Sequence, residues 1–246
     1  MILYVYAIGR AGHPVPDDVE AVDGGGLAAF VTPVDEVEFS QPVIDARSKD
    51  VEWLGRIGYR HQSVMAELMR GGTIIPLRAF TLFKTHATLK HHLEENREQL
   101  ERILERIDGK QEWTLRIEFD PERWRDALSK RVASLGALET EIDGANPGKA
   151  FLLRKKLDEE RKKASREAEQ EVASEIEQVV LEKLQSEVVA ESRERRDGAF
   201  PQINVLLPRD EEARLQELHD DLARRYDSEG VTLALTGPWP PYTFAR

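Results

Sequence analysis

Three histidines stand close together at His86, His91 and His92, and imidazoles are common ligands for transition metals. Their spacing argues against a shared ion. His91 and His92 are adjacent, so on a helix their side chains diverge by about 100° and cannot both face His86. No H-E-x-x-H arrangement accompanies them. The segment Gly144-Ala145-Asn146-Pro147-Gly148-Lys149 invites comparison with a phosphate-binding loop. It has too few residues between its glycines, Ala150 stands where a magnesium-binding Ser or Thr is needed, and Pro147 removes an N–H from the cradle. A turn before a helix is the better reading. Gly24-Gly25-Gly26 precedes a strand, the wrong order for a dinucleotide fingerprint. None of the serines lies in a G-x-S-x-G elbow, and the carboxylates show helical surface spacing. We therefore assign no catalytic, metal or cofactor residue.

Two polar residues lie within apolar patterns. Arg78 follows Ile74-Ile75-Pro76-Leu77, and a buried or edge arginine needs a carboxylate or carbonyl partner. Structural pairing is expected there, with a ligand role as the alternative. His61 sits on the apolar stripe of its helix, where a hydrogen-bonded, partly buried imidazole is expected.

The segment Gly237-Pro238-Trp239-Pro240-Pro241-Tyr242-Thr243-Phe244-Ala245-Arg246 is the most distinctive stretch. Disordered tails are poor in aromatics, whereas this one combines Trp239, Tyr242 and Phe244 with three prolines. Proline biases the backbone toward extended geometry, so a stiff strip with projecting rings is expected. Each ring can bury roughly 150–250 Å². The strip is therefore expected to dock across a domain seam, on a partner, or both. Trp239, Pro240, Tyr242, Phe244 and Arg78 form the candidate docking or interaction set.

The 246 residues allow one large domain or two ordinary ones. Charged residues make up 33% of the chain and the net charge is −11. That balance argues against nucleic acid, which requires a basic face. The absence of cysteine excludes disulfides and thiolate chemistry and fits a cytoplasmic setting. No stretch approaches the ~18–20 apolar residues of a membrane span. Met1 to Ile8 reads as a buried strand rather than a signal core.

Periodicity gives the elements that would position these residues. Strands are expected at Ile2 to Ile8 and Leu27 to Val31, the second ended by Pro33. A helix is expected from Asp45 to Arg70, extended chain from Thr73 to Phe83, and a helix from Thr85 to Ile107. Glu112 to Phe119 alternates as a half-buried strand. Asp120-Pro121 opens a helix running to about Leu138. Lys149 to about Arg196 lacks Gly and Pro and carries a narrow apolar stripe, with basic ends and an acidic middle. It is expected to break into two or three helices. A strand from Phe200 to Leu207, a helix from Asp210 to Tyr226 and a strand from Val231 to Leu235 follow. This predicts an α+β chain of two domains. Residues 1–109 form an N-terminal α+β domain. Residues 110–236 form a modified ferredoxin-like unit with a helical arm at about 149–196, and 237–246 form the tail.

Several motifs then coincide: Leu3-Tyr4-Val5-Tyr6, His61, Ile75-Pro76-Leu77-Arg78, Glu112-Trp113, Lys149-Ala150-Phe151-Leu152 and Gly237 to Phe244. In this order and over essentially the whole chain they resemble the gas-vesicle protein F/L family. Ala79-Phe80 departs from the family pattern, in which an aromatic followed by Gly is expected. The resemblance implies a cytoplasmic, non-enzymatic accessory protein of gas-vesicle formation that needs no cofactor. It implies binding to the small hydrophobic shell protein and other accessory proteins, incorporation as a minor vesicle component, and a tail packed between two domains. The residues themselves offer an aromatic tail, an apolar edge at Ile74 to Phe83 and a charged arm. An adaptor or chaperone would cover apolar shell surface before assembly. The rival readings are a small-molecule sensor or enzyme built on ferredoxin-like units, and a scaffold that self-associates through the arm.

Overall fold

The computed structural model describes residues 1–184, 187–195 and 198–245. Gln185, Ser186 and Arg196 of the expected arm, and Arg246 of the tail, lie outside the described residues. The chain divides into two compact units, Met1–Glu112 with Pro238–Arg246, and Trp113–Gly237.

The first unit begins with β1 (Ile2–Arg10), β2 (Glu20–Asp23) and β3 (Leu27–Val34). It continues with α1 (Gln41–Arg47), α2 (Val51–Gly71), β4 (Ile74–Pro76), β5 (Leu82–Phe83), α3 (His86–Glu95) and α4 (Arg97–Ile107). Its sheet runs β2-β3-β1-β4, with β5 also pairing β1. Eight successive residues of β1, from Ile2, are buried, as expected of a strand covered on both faces. The α2 helix contacts β1 and β4, while α3 contacts β2 and β3. Tyr4, Tyr6, Phe30, Val64, Met65, Leu68 and Ile74 form one core cluster.

The long helices of this unit are shorter than periodicity alone predicts. The helix expected over 45–70 is broken near Ser48, and Asp50 caps α2 by accepting from Trp53 N–H at 3.0 Å. The helix expected over 85–107 is divided at Asn96. Between the two expected strands, Glu20–Asp23 adds a further strand that pairs with β3. Pro33 lies inside β3 rather than ending it. The β2 pairing stops at Val31, so Pro33 faces no partner strand on that side.

A register shift between Val5 and Ala7 divides the far edge of β1 between two partners. Leu3 and Tyr4 pair with β5, and Ala7 to Gly9 pair with β4. The connecting segment carries Phe80 at φ 65. The position where the resemblance expects glycine thus adopts the left-handed conformation that glycine favours.

The second unit contains most of β6 (Lys110–Phe119), then α5 (Pro121–Arg131), α6 (Ala133–Asp143), α7 (Pro147–Leu184), β7 (Glu187–Arg195), β8 (Gly198–Pro208), α8 (Glu212–Tyr226) and the start of β9 (Val231–Trp239). The sheet order is β7-β8-β6-β9. Leu115, Ile117, Trp124, Leu128, Val172, Ile176, Val180, Ile203, Val205, Leu222 and Tyr226 belong to its core cluster. Asp120 caps α5 by accepting from Glu122 and Arg123 N–H. Gly230 has φ 77, and a Cβ there would stand 2.4 Å from that of Arg123.

Two expectations for the arm are corrected. The α7 helix is continuous over 38 residues, about 57 Å at 1.5 Å per residue, rather than two or three pieces. It ends at Leu184, and Glu187–Arg195 is a strand paired antiparallel with β8. Nothing in the local pattern announced this change, because no Gly or Pro separates the two elements; pairing with β8 overrides helical propensity. The expected helix to Leu138 is likewise divided at Val132.

Candidate functional site

The aromatic tail has a built seat within the first unit. His61 lies on α2 and is 3% exposed. Its Nδ1 stands 3.0 Å from the Tyr4 hydroxyl, and its Nε2 stands 3.0 Å from the Tyr242 hydroxyl. Phe80 N–H donates to the Tyr4 oxygen at 3.2 Å. The two imidazole nitrogens are thus each engaged by a tyrosine hydroxyl, one as donor and one as acceptor in the neutral ring. One neutral imidazole thus joins β1, α2, the Phe80 segment and the tail.

A carboxylate makes the second attachment. Glu112 is buried, and its two oxygens accept from Thr243 N–H at 2.8 Å and Thr243 Oγ1 at 2.7 Å. A third contact runs from Arg106, whose guanidinium donates to the Phe244 carbonyl at 3.3 Å. The Phe244 ring is 1% exposed.

The tail is not the extended strip that its prolines predict. The β9 strand continues through Pro238 to Trp239. The chain then turns, with Ala245 N–H bonded to the Pro241 carbonyl at 2.9 Å. Pro240 and Pro241 are buried and Tyr242 is half-buried, but Trp239 is 43% exposed. The tail therefore combines buried residues with one aromatic that is 43% exposed.

Burial controls the protonation of this seat. It holds the His61 pKa below its ordinary value, partly offset by the Leu77 carbonyl. Burial also pushes the Tyr4 hydroxyl up to about 12, with the Phe80 N–H acting against it. The Tyr242 hydroxyl is likewise pushed up to about 12 by burial. Burial thus favours the neutral form of all three groups.

Around the seat, Phe80 stacks on Trp53 at 5.5 Å and lies within 6.4 Å of Phe39 and Tyr4. A cavity of about 240 Å³ is lined by residues including Tyr4, Tyr6, Phe39, Arg56, Arg60 and His61. Its cations are paired, Arg60 with Asp18 and Arg56 with Glu38. The volume falls below the range of about 300–1,000 Å³ usual for small-molecule sites.

Arg78 is not drawn into this arrangement. It is exposed rather than buried or paired in the edge, and its carbonyl accepts from Thr81 N–H and Oγ1 in the turn. Ile74, Ile75 and Pro76 are buried, so that part of the apolar edge is core. The three histidines have separate partners: His86 reaches Glu20 at 2.9 Å, His91 reaches Glu95 at 3.1 Å, and His92 meets Asn96 and the Phe83 ring. Among the described residues no group of three His, Cys, Asp or Glu side chains could hold a metal ion. None of the described helices is long and apolar enough to cross a membrane.

Sequence reasoning found Tyr4, His61, Glu112 and the tail as separate motifs but not their convergence. The bidentate hold of Glu112 on Thr243 was missed altogether. No local signal marked it, because Glu112 shares the polar phase of the alternating strand with Thr114, Arg116 and Glu118.

The chain matches the family described as gas vesicle synthesis protein GvpL/GvpF over residues 2–246. Gas vesicle protein L2 of Halobacterium salinarum is 30% identical over 80% of this chain and 73% of its own length. Gas vesicle protein L of a Streptomyces species is 26% identical over 98% of this chain and 92% of its own. The crystal structure of GvpF from Microcystis aeruginosa shares the fold, with a TM-score of 0.62 at 17% identity over 100% of this chain and 99% of that one.

Proposed function

Because the chain belongs to the gas vesicle synthesis protein GvpL/GvpF family, we propose that it binds the hydrophobic shell protein of the gas vesicle as chaperone, nucleation adaptor or minor structural component. An accessory role in gas-vesicle formation follows from membership. The mechanism and the direct partner are our reading. Other accessory proteins of the vesicle are further partners in this reading, which places the protein in the cytoplasm and at the vesicle.

One observation carries the shell-binding step: Trp239 is 43% exposed while the residues after it are anchored. A tail needed only for its own fold gains most by burying every ring. Exposed aromatics of this kind are enriched where partners dock. The second unit supports the fold reading we also propose, a modified ferredoxin-like unit. Its order is strand, helices, two strands, helix, strand, arranged β7-β8-β6-β9.

The test is co-expression with a shell protein, followed by soluble co-purification of the full chain. Trp239→Ala is expected to weaken recovery of the complex about tenfold while leaving the melting temperature close to that of the parent, as removal of an interfacial aromatic would. Phe244→Ala serves as the folding control. No co-purification at low salt with the unaltered chain would remove the proposal. Undiminished recovery with Trp239→Ala would move the contact away from the tail.

A further inference from the structure

The α7 helix is electrically divided. From Lys149 to Arg166 it carries eight basic and three acidic side chains. From Glu167 to Leu184 it carries six acidic and one basic. The unbroken helix makes this division a geometric fact, with each half filling about half of one rod. One face is buried in the unit's core through Leu157, Ala168, Val172, Ile176, Val180 and Leu184.

The outward face has a second pattern. Leu152 is 67% exposed and Leu181 is 43% exposed. At 100° per residue they lie within about 20° of each other around the helix and about 43 Å apart along it. Two exposed leucines therefore bracket one charged stripe. Two copies of such a stripe, set antiparallel with Leu152 of each against Leu181 of the other, fall into a consistent register. Lys156 then lies opposite Glu177, a pair that occurs twice, and the basic half of each helix runs along the acidic half of the other. Glu159 lies opposite Ser174 and Lys163 opposite Gln170.

From this we propose that α7 is a self-recognition surface, and that a second copy of this chain docks on it antiparallel about a two-fold axis between residues 166 and 167. An isologous contact requires a patch complementary to itself, and a helix basic in one half and acidic in the other satisfies that only when antiparallel. The leucines at the two ends add apolar contact where the charge pairs stop. This association involves a surface of the second unit and is independent of shell binding, so it is tested on the purified chain alone.

Sedimentation of the full chain is expected to show a dimer at low salt. Its dissociation constant should rise about tenfold as the Debye length falls from about 30 Å at 0.01 M to about 8 Å at 0.15 M salt. Two charge-reversed chains sharpen the test: one with Lys156→Glu, Lys162→Glu and Arg166→Glu, the other with Glu167→Lys, Glu171→Lys and Glu177→Lys. Each alone is expected to be monomeric with unaltered circular dichroism, and an equimolar mixture is expected to recover the dimer. Orientation is read by crosslinking, which the absence of native cysteine makes unambiguous. Leu152→Cys mixed with Leu181→Cys should give the mixed disulfide, and neither should crosslink to itself. A monomer at low salt, a mixture that stays monomeric, or a preferred 152-to-152 crosslink would each overturn the proposal.

Discussion

The tail seat and the α7 helix use polar chemistry in opposite ways. At the seat, His61, Glu112 and two tyrosine hydroxyls are shielded from water, and their bonds hold the chain to itself. On α7 the charges face solvent and make short-range pairs such as Lys156 with Glu160 and Lys163 with Glu167. Exposed pairs of this kind contribute little to stability, about 0–1 kcal/mol each. The contrast separates two roles that sequence alone merges. The buried network specifies a structure, while the exposed helix is available for recognition.

That separation can be broken at the seat. Phe244→Ala removes a ring that is 1% exposed, and truncation of a core aromatic costs about 3–5 kcal/mol. Hydrogen exchange at the β1 amides is expected to accelerate, with little change in those of β8. Equal acceleration in both units would show that the tail supports more than its own seat. Tyr242→Phe is milder. It leaves His61 Nε2 without its hydroxyl partner, for which about 1–3 kcal/mol is lost, read as a lower denaturation midpoint at an unchanged slope.

Acid and alkali should act on the same seat from opposite sides. Burial depresses the pKa of His61 and, despite the Leu68 carbonyl, of His13. Below pH 6.5, their ordinary value, the unfolded chain takes up protons that the folded unit resists. The contribution of these histidines is therefore full above pH 6.5 and is lost as pH falls toward the depressed folded values. Tyr4 and Tyr242 behave in reverse. Their contribution is full below 10.0 and is lost as pH rises from 10.0 toward about 12. Denaturant titrations across pH should show a plateau between these limits, and His61→Gln should flatten the acidic flank. An acidic flank of unchanged slope would place the titration elsewhere.

The smallest effects concern Phe80 and the outward face of α7. Phe80→Ala and Phe80→Gly both forfeit the stack on Trp53, but only glycine relieves φ 65. The glycine variant is therefore expected to be the more stable of the two by about 1 kcal/mol, measured by thermal unfolding. Lys162→Ala is expected to change stability by less than about 0.5 kcal/mol.

Much of this architecture was legible in the chain. The alternation from Glu112 to Phe119 gave β6, and the stripe of Trp53, His61, Val64, Met65 and Leu68 gave the buried face of α2. What local pattern could not give was anything settled by distant partners. The β7 strand exists through its pairing with β8, and the breaks at Ser48, Asn96 and Val132 interrupt otherwise helical patterns. The prolines of the tail predicted extension, and hydrogen bonds from residues as far away as His61 accompany a turn instead. At the seat, residue types were readable one by one. Their assembly depended on partners far apart in the chain, such as His61 with Tyr242 and Glu112 with Thr243.

The order of residues along the chain has a consequence for synthesis. The first unit takes in Pro238–Arg246, yet Trp113–Gly237 lies between these residues and the rest of it. While the ribosome is still making the second unit, His61 and Glu112 have already emerged without Tyr242 and Thr243. The part translated first thus lacks Tyr242 and Thr243 throughout synthesis of the second unit.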